Sequence, residues 1–106
     1  MEFPAQPFTL IDWAAVEPDD APSPSSRRTC QFGDLNVRMV ELAPGHNNEY
    51  WCDKGHVIHC LKGEVDIEIQ DGPTHRLKAG MTCHVGDGNP PHRGRTATGA
   101  TLFLVD

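Results

Sequence analysis

Short stretches in which apolar and polar residues alternate run through most of the chain after residue 26. The clearest is VDIEIQ at 65–70, which predicts a strand with one exposed face, because side chains alternate sides along an extended chain. Comparable stretches occupy 28–32, 35–42, 50–53, 56–61, 74–78, 81–85, 92–96 and 100–105. A turn at Lys62-Gly63-Glu64 is predicted to separate the strand at 56–61 from the one at 65–70. No segment keeps a 3.6-residue period, so we predict an all-β barrel or sandwich.

Residues 1–26 have a different character. They hold five prolines and end in PDDAPSPSS, which is typical of an extended arm followed by a loop. We therefore predict an N-terminal arm at 1–26 and a single barrel domain at 27–106. Within the arm, IDWAAVE is expected either to form one helical turn capped by Asp12 or simply to lay Trp13 over the core. The apolar residues of the arm are expected to pack on its own barrel or on a partner subunit; they are Phe3, Phe8, Leu10, Ile11 and Trp13.

Charge and composition narrow the range of partners. The 106 residues carry 9 basic and 15 acidic side chains, which gives a net charge of −6. This balance disfavours nucleic acid and anionic membranes as partners, since both require a basic surface. No apolar run approaches the ~18 residues of a membrane span, and the N-terminus lacks the pattern of a secretory signal. We therefore predict a cytoplasmic protein whose four cysteines are reduced thiols.

The stretch EYWCDKGHVIHCLKGE at 49–64 concentrates candidate metal ligands. On a strand, His56 and Cys60 share one face and His59 points to the other, so the two histidines cannot bind the same ion. The bend at Lys54-Gly55 allows Cys52 and His56 to face a common interior. His92, which follows a Pro-Pro loop, is the best candidate for a third ligand. The predicted metal ligands are thus Cys52, His56 and His92; if no metal binds, the same residues simply line the barrel.

The other cysteines and histidines have simpler interpretations. The cysteines occur singly rather than in paired knuckles, which argues against a zinc ribbon. We predict that three of them fill the core, namely Cys30, Cys60 and Cys83. We also predict that His46 and His75 are solvated and that His59 lies at the surface. His84 is kept as a weaker alternative ligand.

The run from Gly45 to Gly63, followed by the run from Gly80 to His92, resembles the two motifs of the cupin superfamily. His56 stands where the first motif has its Glu, and Cys52 and Tyr50 stand in the places of its two histidines. His92 matches the histidine of the second motif. The resemblance implies a double-stranded β-helix, the jelly-roll barrel of RmlC-like proteins, behind the Pro-rich arm.

More narrowly, EYWCDKGH, QFGDLNVRMVELAPG and TLFLVD are similar to a small bacterial group of cupins named after its DHCW motif. This chain differs from the group in having Glu49-Tyr50 where Asp-His is typical. Tyr50 then has three possible roles: a fourth ligand, a hydrogen-bond donor to a ligand, or a plug that fills the site.

One thiolate and two imidazoles suit Zn²⁺, Fe²⁺, Ni²⁺ or Cu, and they do not suit Mg²⁺ or Ca²⁺. Three ligands with an open position are typical of catalytic sites. The sequence leaves three functions open: a metal-dependent cupin enzyme acting on a small organic molecule, a metal-free small-molecule binder, and a protein with a structural metal. The arm and the barrel edge predict a homodimer.

Overall fold

The structure, a computed structural model, describes residue 3, residues 5–19, residues 24–88 and residues 90–106. Pro4, Pro22 and Asn89, which belong to the predicted arm and to the turn before His92, lie outside these ranges. The strands are β1 (Ser26–Phe32), β2 (Leu35–Leu42), β3 (His56–Ile69), β4 (Thr74–Lys78), β5 (Thr82–Val85), β6 (His92–Arg95) and β7 (Ala100–Val105). The prediction of an all-β fold is confirmed.

The seven strands form two antiparallel sheets that share β3. The first half of β3 pairs with β7 and β5, and β7 continues through β2 to β1. The second half pairs with β4 and β6. The turn predicted at Lys62-Gly63-Glu64 is wrong. A register shift between Cys60 and Lys62, together with a φ of 72° at Gly63, bends one continuous strand from the first sheet into the second.

The inner faces of the two sheets enclose the core. Its buried members are Ile58, Cys60, Val65, Ile67, Leu77, Ala100 and Leu102, with Val40, Leu42, Ile69, Cys83 and Leu104 packed against them. The predicted core positions of Cys60 and Cys83 are therefore confirmed. Cys30 differs, because it pairs with Val37 outside this cluster and is only half-buried.

The described part of the arm is tied to the barrel at one end. The Asp19 amide donates to the Arg27 carbonyl oxygen at 2.6 Å, and Arg28 Nε donates to the Val16 carbonyl oxygen at 3.0 Å. A 3₁₀ turn spans Trp13–Ala15, and Asp12 Oδ1 accepts from the Ala14 amide at 3.1 Å, which confirms the predicted cap.

Farther from β1, three apolar side chains of the arm are largely exposed. Phe3, Phe8 and Leu10 are 80%, 90% and 84% exposed. Among the described residues, no helix is long and apolar enough to cross a membrane.

Candidate metal centre

Three side chains predicted as ligands come together in the structure. The donor atoms of Cys52, His56 and His92 all lie within 4.8 Å of one another. His56 opens β3 on the same face as the buried Ile58, and His92 opens β6 with only 4% of its surface exposed. The structure thus assembles the predicted set, while the role of these residues as metal ligands stays a prediction.

Cys52 reaches the two histidines because its backbone pairs with β6. The Cys52 amide donates to the His92 carbonyl oxygen at 2.8 Å, and the His92 amide donates back at 2.9 Å. On the other side of the chain, Trp51 lies under the guanidinium of Arg93, 4.1 Å from the ring centroid. This cation–π contact holds the segment against β6 and turns Cys52 inward.

Tyr50 lies in a bulge of that same segment. Four residues separate Asn47 from Cys52, whereas only two separate their partners Arg95 and His92. The excess is accommodated by an outward loop at 49–50, and the Tyr50 side chain is 84% exposed. Tyr50 therefore does not plug the site, and that interpretation is wrong.

The two histidines meet through their Nε2 atoms. These nitrogens are 2.7 Å apart, and the rings are edge to face with centroids at 4.7 Å and planes at 84°. One Nε2 must carry a proton and the other a lone pair, because two N–H groups or two lone pairs would repel at this distance. His92 Nδ1 is buried and has no hydrogen-bond partner among the described residues.

The spacing of the donor atoms can be compared with what an ion requires. A tetrahedral site with Zn–N of 2.0–2.1 Å and Zn–S of about 2.3 Å keeps neighbouring donors about 3.4–3.6 Å apart. The observed separations, from 2.7 Å between the histidines up to 4.8 Å across the group, lie on both sides of that value. Side-chain shifts of about 1 Å would bring the three donors to coordination distance. The residues present therefore fit a transition metal.

The protonation states of the histidines favour ligation. Burial lowers the pKa of His92, and burial followed by the charge of His92 lowers the pKa of His56. Both imidazoles are consequently neutral at pH 7, which is the state a metal ligand must have.

The remaining histidines lie outside the group. His59 faces away from it, as predicted, and its Nδ1 is 2.8 Å from Thr82 Oγ1. His84 and His75 are exposed, so the weaker alternative of His84 as a ligand finds no support. The prediction of a solvated His46 is wrong. This residue is half-buried because its two ring nitrogens contact Ser25 Oγ and Asn48 Oδ1, both at 2.7 Å.

A cavity of about 800 Å³ adjoins the site at the end of the larger sheet. His56 and Asp106 both line it, together with polar residues that include Asn36, Asp34 and Asp87. Sequence reasoning missed Asp106. The alternation of ATLFLVD would have revealed it, because Asp106 shares a face with the inward-facing Leu102 and Leu104.

Comparisons with known proteins bear on the fold alone. No protein-family model matches the chain, and no curated relative is found. A cupin from Shewanella frigidimarina described as RmlC-like aligns with a TM-score of 0.79 at 20% identity, covering 94% of this chain and 90% of that one.

Two structures named as enzymes are also similar. An ectoine synthase from P. lautus aligns with a TM-score of 0.77 at 17% identity, covering 92% of this chain and 76% of its own. A sugar phosphate isomerase of the cupin superfamily from Silicibacter pomeroyi aligns with a TM-score of 0.73 at 18% identity, covering 92% of this chain and 74% of its own. With its two antiparallel sheets and its inward-facing Cys-His-His group, the chain has the fold of RmlC-like cupins.

Proposed function

We propose that this protein binds one divalent transition metal through Cys52 Sγ and the imidazoles of His56 and His92, and that it binds or transforms a small organic molecule beside that metal. The observation that carries the proposal is the convergence of three donor atoms within 4.8 Å, two of them on neutral imidazoles. A mixed thiolate and imidazole set suits Zn²⁺, Fe²⁺ or Ni²⁺.

An open coordination position supports a functional rather than a structural metal. Structural zinc sites are closed by four protein ligands, whereas three protein ligands leave room for water or substrate. The 84% exposure of Tyr50 argues against it as a fourth ligand, and His56 borders a cavity large enough for a small molecule. A bound metal would act there as a Lewis acid. Two similar structures are named as enzymes, which agrees with chemistry on small molecules.

A second candidate is a metal-free binder that uses the same cavity. The 2.7 Å contact between the two Nε2 atoms favours it, since this contact satisfies both nitrogens without an ion.

Elemental analysis of untagged protein distinguishes the two candidates. The metal-binding proposal expects about one ion of zinc, iron or nickel per chain after purification without a histidine tag and without added chelator. Fewer than about one ion per ten chains, even after incubation with Zn²⁺ and gel filtration, would leave the metal-free binder as the function.

We also propose that the chain forms a homodimer. The outer face of the smaller sheet is covered by ion pairs, such as Asp66–Arg76 at 2.9 Å and Glu68–Arg93 at 3.2 Å. The outer face of the larger sheet carries a central apolar patch, in which strand pairing places side by side Val37, Met39, Val57, Phe103 and Val105. Polar residues of the same face flank this patch; they include Arg28, Glu41, His59, His84 and Thr101. In a two-fold dimer, the exposed apolar residues of each subunit's arm can cover the apolar patch on the sheet of the other subunit.

The arm provides the test of this dimer. Replacing Phe8 and Leu10 together by serine removes two exposed apolar side chains, and we expect the mass measured by light scattering to fall from that of a dimer to that of a monomer. Tyr50→Ser is the matched control, because Tyr50 is equally exposed but lies outside the arm. A monomeric wild-type protein, or a double variant that stays dimeric, would contradict the proposal.

A further inference from the structure

Asp106 lies next to the proposed metal ligand His56 on the inner face of the larger sheet. Backbone hydrogen bonds of 2.6 and 2.9 Å extend the pairing of β2 and β7 to Asn36 and Asp106. On the other side, Val105 pairs with Val57 on β3, so His56 and Asp106 occupy neighbouring positions on adjacent strands. Side chains at such positions begin about 5 Å apart. Asp106 therefore faces the same space as the His56 ring.

The carboxylate of Asp106 is held in place but keeps capacity for another partner. Arg38 Nε lies 3.4 Å from both carboxylate oxygens, and this is its one side-chain contact among the described residues. These distances are long for a charge-assisted hydrogen bond, which is typically 2.7–2.9 Å. The Asp106 and Arg38 side chains are only 14% and 20% exposed, so bulk water does not fully solvate the pair. A half-buried carboxylate with free lone pairs is a strong acceptor for a ligand donor.

The cavity brings this carboxylate together with one of the three proposed metal ligands, His56, while Cys52 and His92 are not among its lining residues. Leu35 and Val85 supply apolar wall beside His56 and Asp106. A molecule of a few carbons that approached the metal from the His56 side would extend along this wall, past Asp106.

We propose that Asp106 is a substrate-binding residue: it accepts a hydrogen bond from a hydroxyl or ammonium group carried one or two bonds away from the substrate atom that ligates the metal. Small 2-hydroxy and 2-amino acids have this chemistry. The inference rests on the proposed metal function and deepens it. Arg38 is the positioning residue that orients the carboxylate, and Thr29 Oγ1 in turn accepts from Arg38 Nη1 at 3.2 Å.

One other role for Asp106 makes a different prediction. A carboxylate next to a metal-ligating histidine can instead accept the second ring N–H of that histidine, and removing such a partner typically lowers metal affinity 10–100-fold. No hydrogen bond joins Asp106 to His56 among the described residues. If that role were the true one, loss of Asp106 would weaken metal binding without changing the preference between ligands.

The experiment uses full-length protein loaded with Co²⁺, whose thiolate and imidazole complexes absorb visible light. Absorption changes report the affinities of acetate, glycolate and glycine, which share a carboxylate and differ in the group on the neighbouring carbon. We expect wild-type protein to prefer glycolate or glycine over acetate, and Asp106→Ala to lose at least about tenfold of that preference. Chelation of Co²⁺ by the ligand contributes equally in both proteins. The preference of wild-type protein divided by that of the variant therefore measures the contribution of the Asp106 side chain alone. Asp66→Ala removes the same charge from the outer face of the smaller sheet, outside the cavity, and should leave the preference unchanged.

Asp106→Asn keeps one acceptor oxygen and serves as the conservative variant, also in case the alanine variant does not fold. If the natural donor is a hydroxyl group, this variant should restore much of the preference for glycolate over acetate but not the preference for glycine. If the natural donor is an ammonium group, it should restore neither preference. An unchanged preference in variants that bind Co²⁺ normally would overturn the role of Asp106 and leave the metal function standing. Weaker Co²⁺ binding with an unchanged preference would mean that Asp106 supports the ligand His56, and this too would overturn its role in substrate binding. A wild-type protein that binds no Co²⁺ would overturn both proposals.

Discussion

Replacing Cys52 by serine is expected to weaken Zn²⁺ binding at least about 100-fold, because even the outer partners of metal ligands are typically worth 10–100-fold in affinity. Cys52 would supply the one thiolate of the group, and a serine hydroxyl is not deprotonated at neutral pH. The side chain is half-buried and its backbone hydrogen bonds to His92 do not involve the sulfur, so the fold should tolerate the change. Competition against a chromophoric zinc chelator measures the affinity, and circular dichroism verifies the fold.

Cys30→Ser is the matched control for this substitution. Cys30 is another half-buried free thiol, but it sits in the middle of β1 and is not among the converging donors. Its replacement should leave zinc affinity within about twofold, since it changes no ligand. Equal losses in the two variants would mean that zinc binds unspecifically to thiols. Tight binding that survives Cys52→Ser would point to a site that does not use this sulfur.

Replacing Gly63 by alanine is expected to lower the free energy of unfolding by at least about 3 kcal/mol. A side chain at φ 72° costs roughly 1–3 kcal/mol in backbone strain alone. In addition, a Cβ at this position would overlap the carbonyl oxygen of Gly99 and approach Ala100 Cα at 3.1 Å, and both are backbone atoms that cannot rotate away. The two strands would have to separate at the point where β3 bends. Urea unfolding followed by circular dichroism gives the free energy.

Gly80→Ala separates the two contributions. Gly80 has a φ of 89°, yet a Cβ there would meet no atom within 4 Å. This variant should lose only the backbone strain, roughly 1–3 kcal/mol, and should be clearly more stable than Gly63→Ala. If both variants lost the same free energy of unfolding, the backbone at Gly99, just before β7, would be able to move away, and its close approach to Gly63 would carry no additional cost.

The sequence was informative where the deciding interactions are local. Alternation identified β1 to β7 and the inward side of β3, and it correctly separated His56 from His59. The strand predicted at 50–53 is wrong, because in that stretch only Cys52 forms an isolated bridge. Lys62-Gly63-Glu64 was misread because a positive-φ glycine serves a hairpin turn and a strand bend equally well. What distinguishes them is the pairing of Lys62 and Gly63 with β7, almost forty residues later in the chain.

The same limit applies to Tyr50. Its exposure follows because the segment 47–52 has two residues more than the part of β6 that it pairs with. A mismatch of this kind is visible only when the two segments are aligned with each other. The narrower likeness to the DHCW group stays a prediction. In this chain the position of that group's first histidine lies in the outward bulge, where a histidine in the same backbone conformation would also point away from the cluster.

The sharing of β3 between the two sheets has a consequence for how the molecule opens. In a sandwich whose sheets have separate strands, one sheet can fray while the other persists. Here each sheet contains one half of the same strand, and the halves are joined at Gly63 without a loop. Loss of pairing in either half therefore removes support from the other, so the two sheets form one cooperative unit. The metal group draws His56 from one half and His92 from the partner of the other half, and its integrity depends on both.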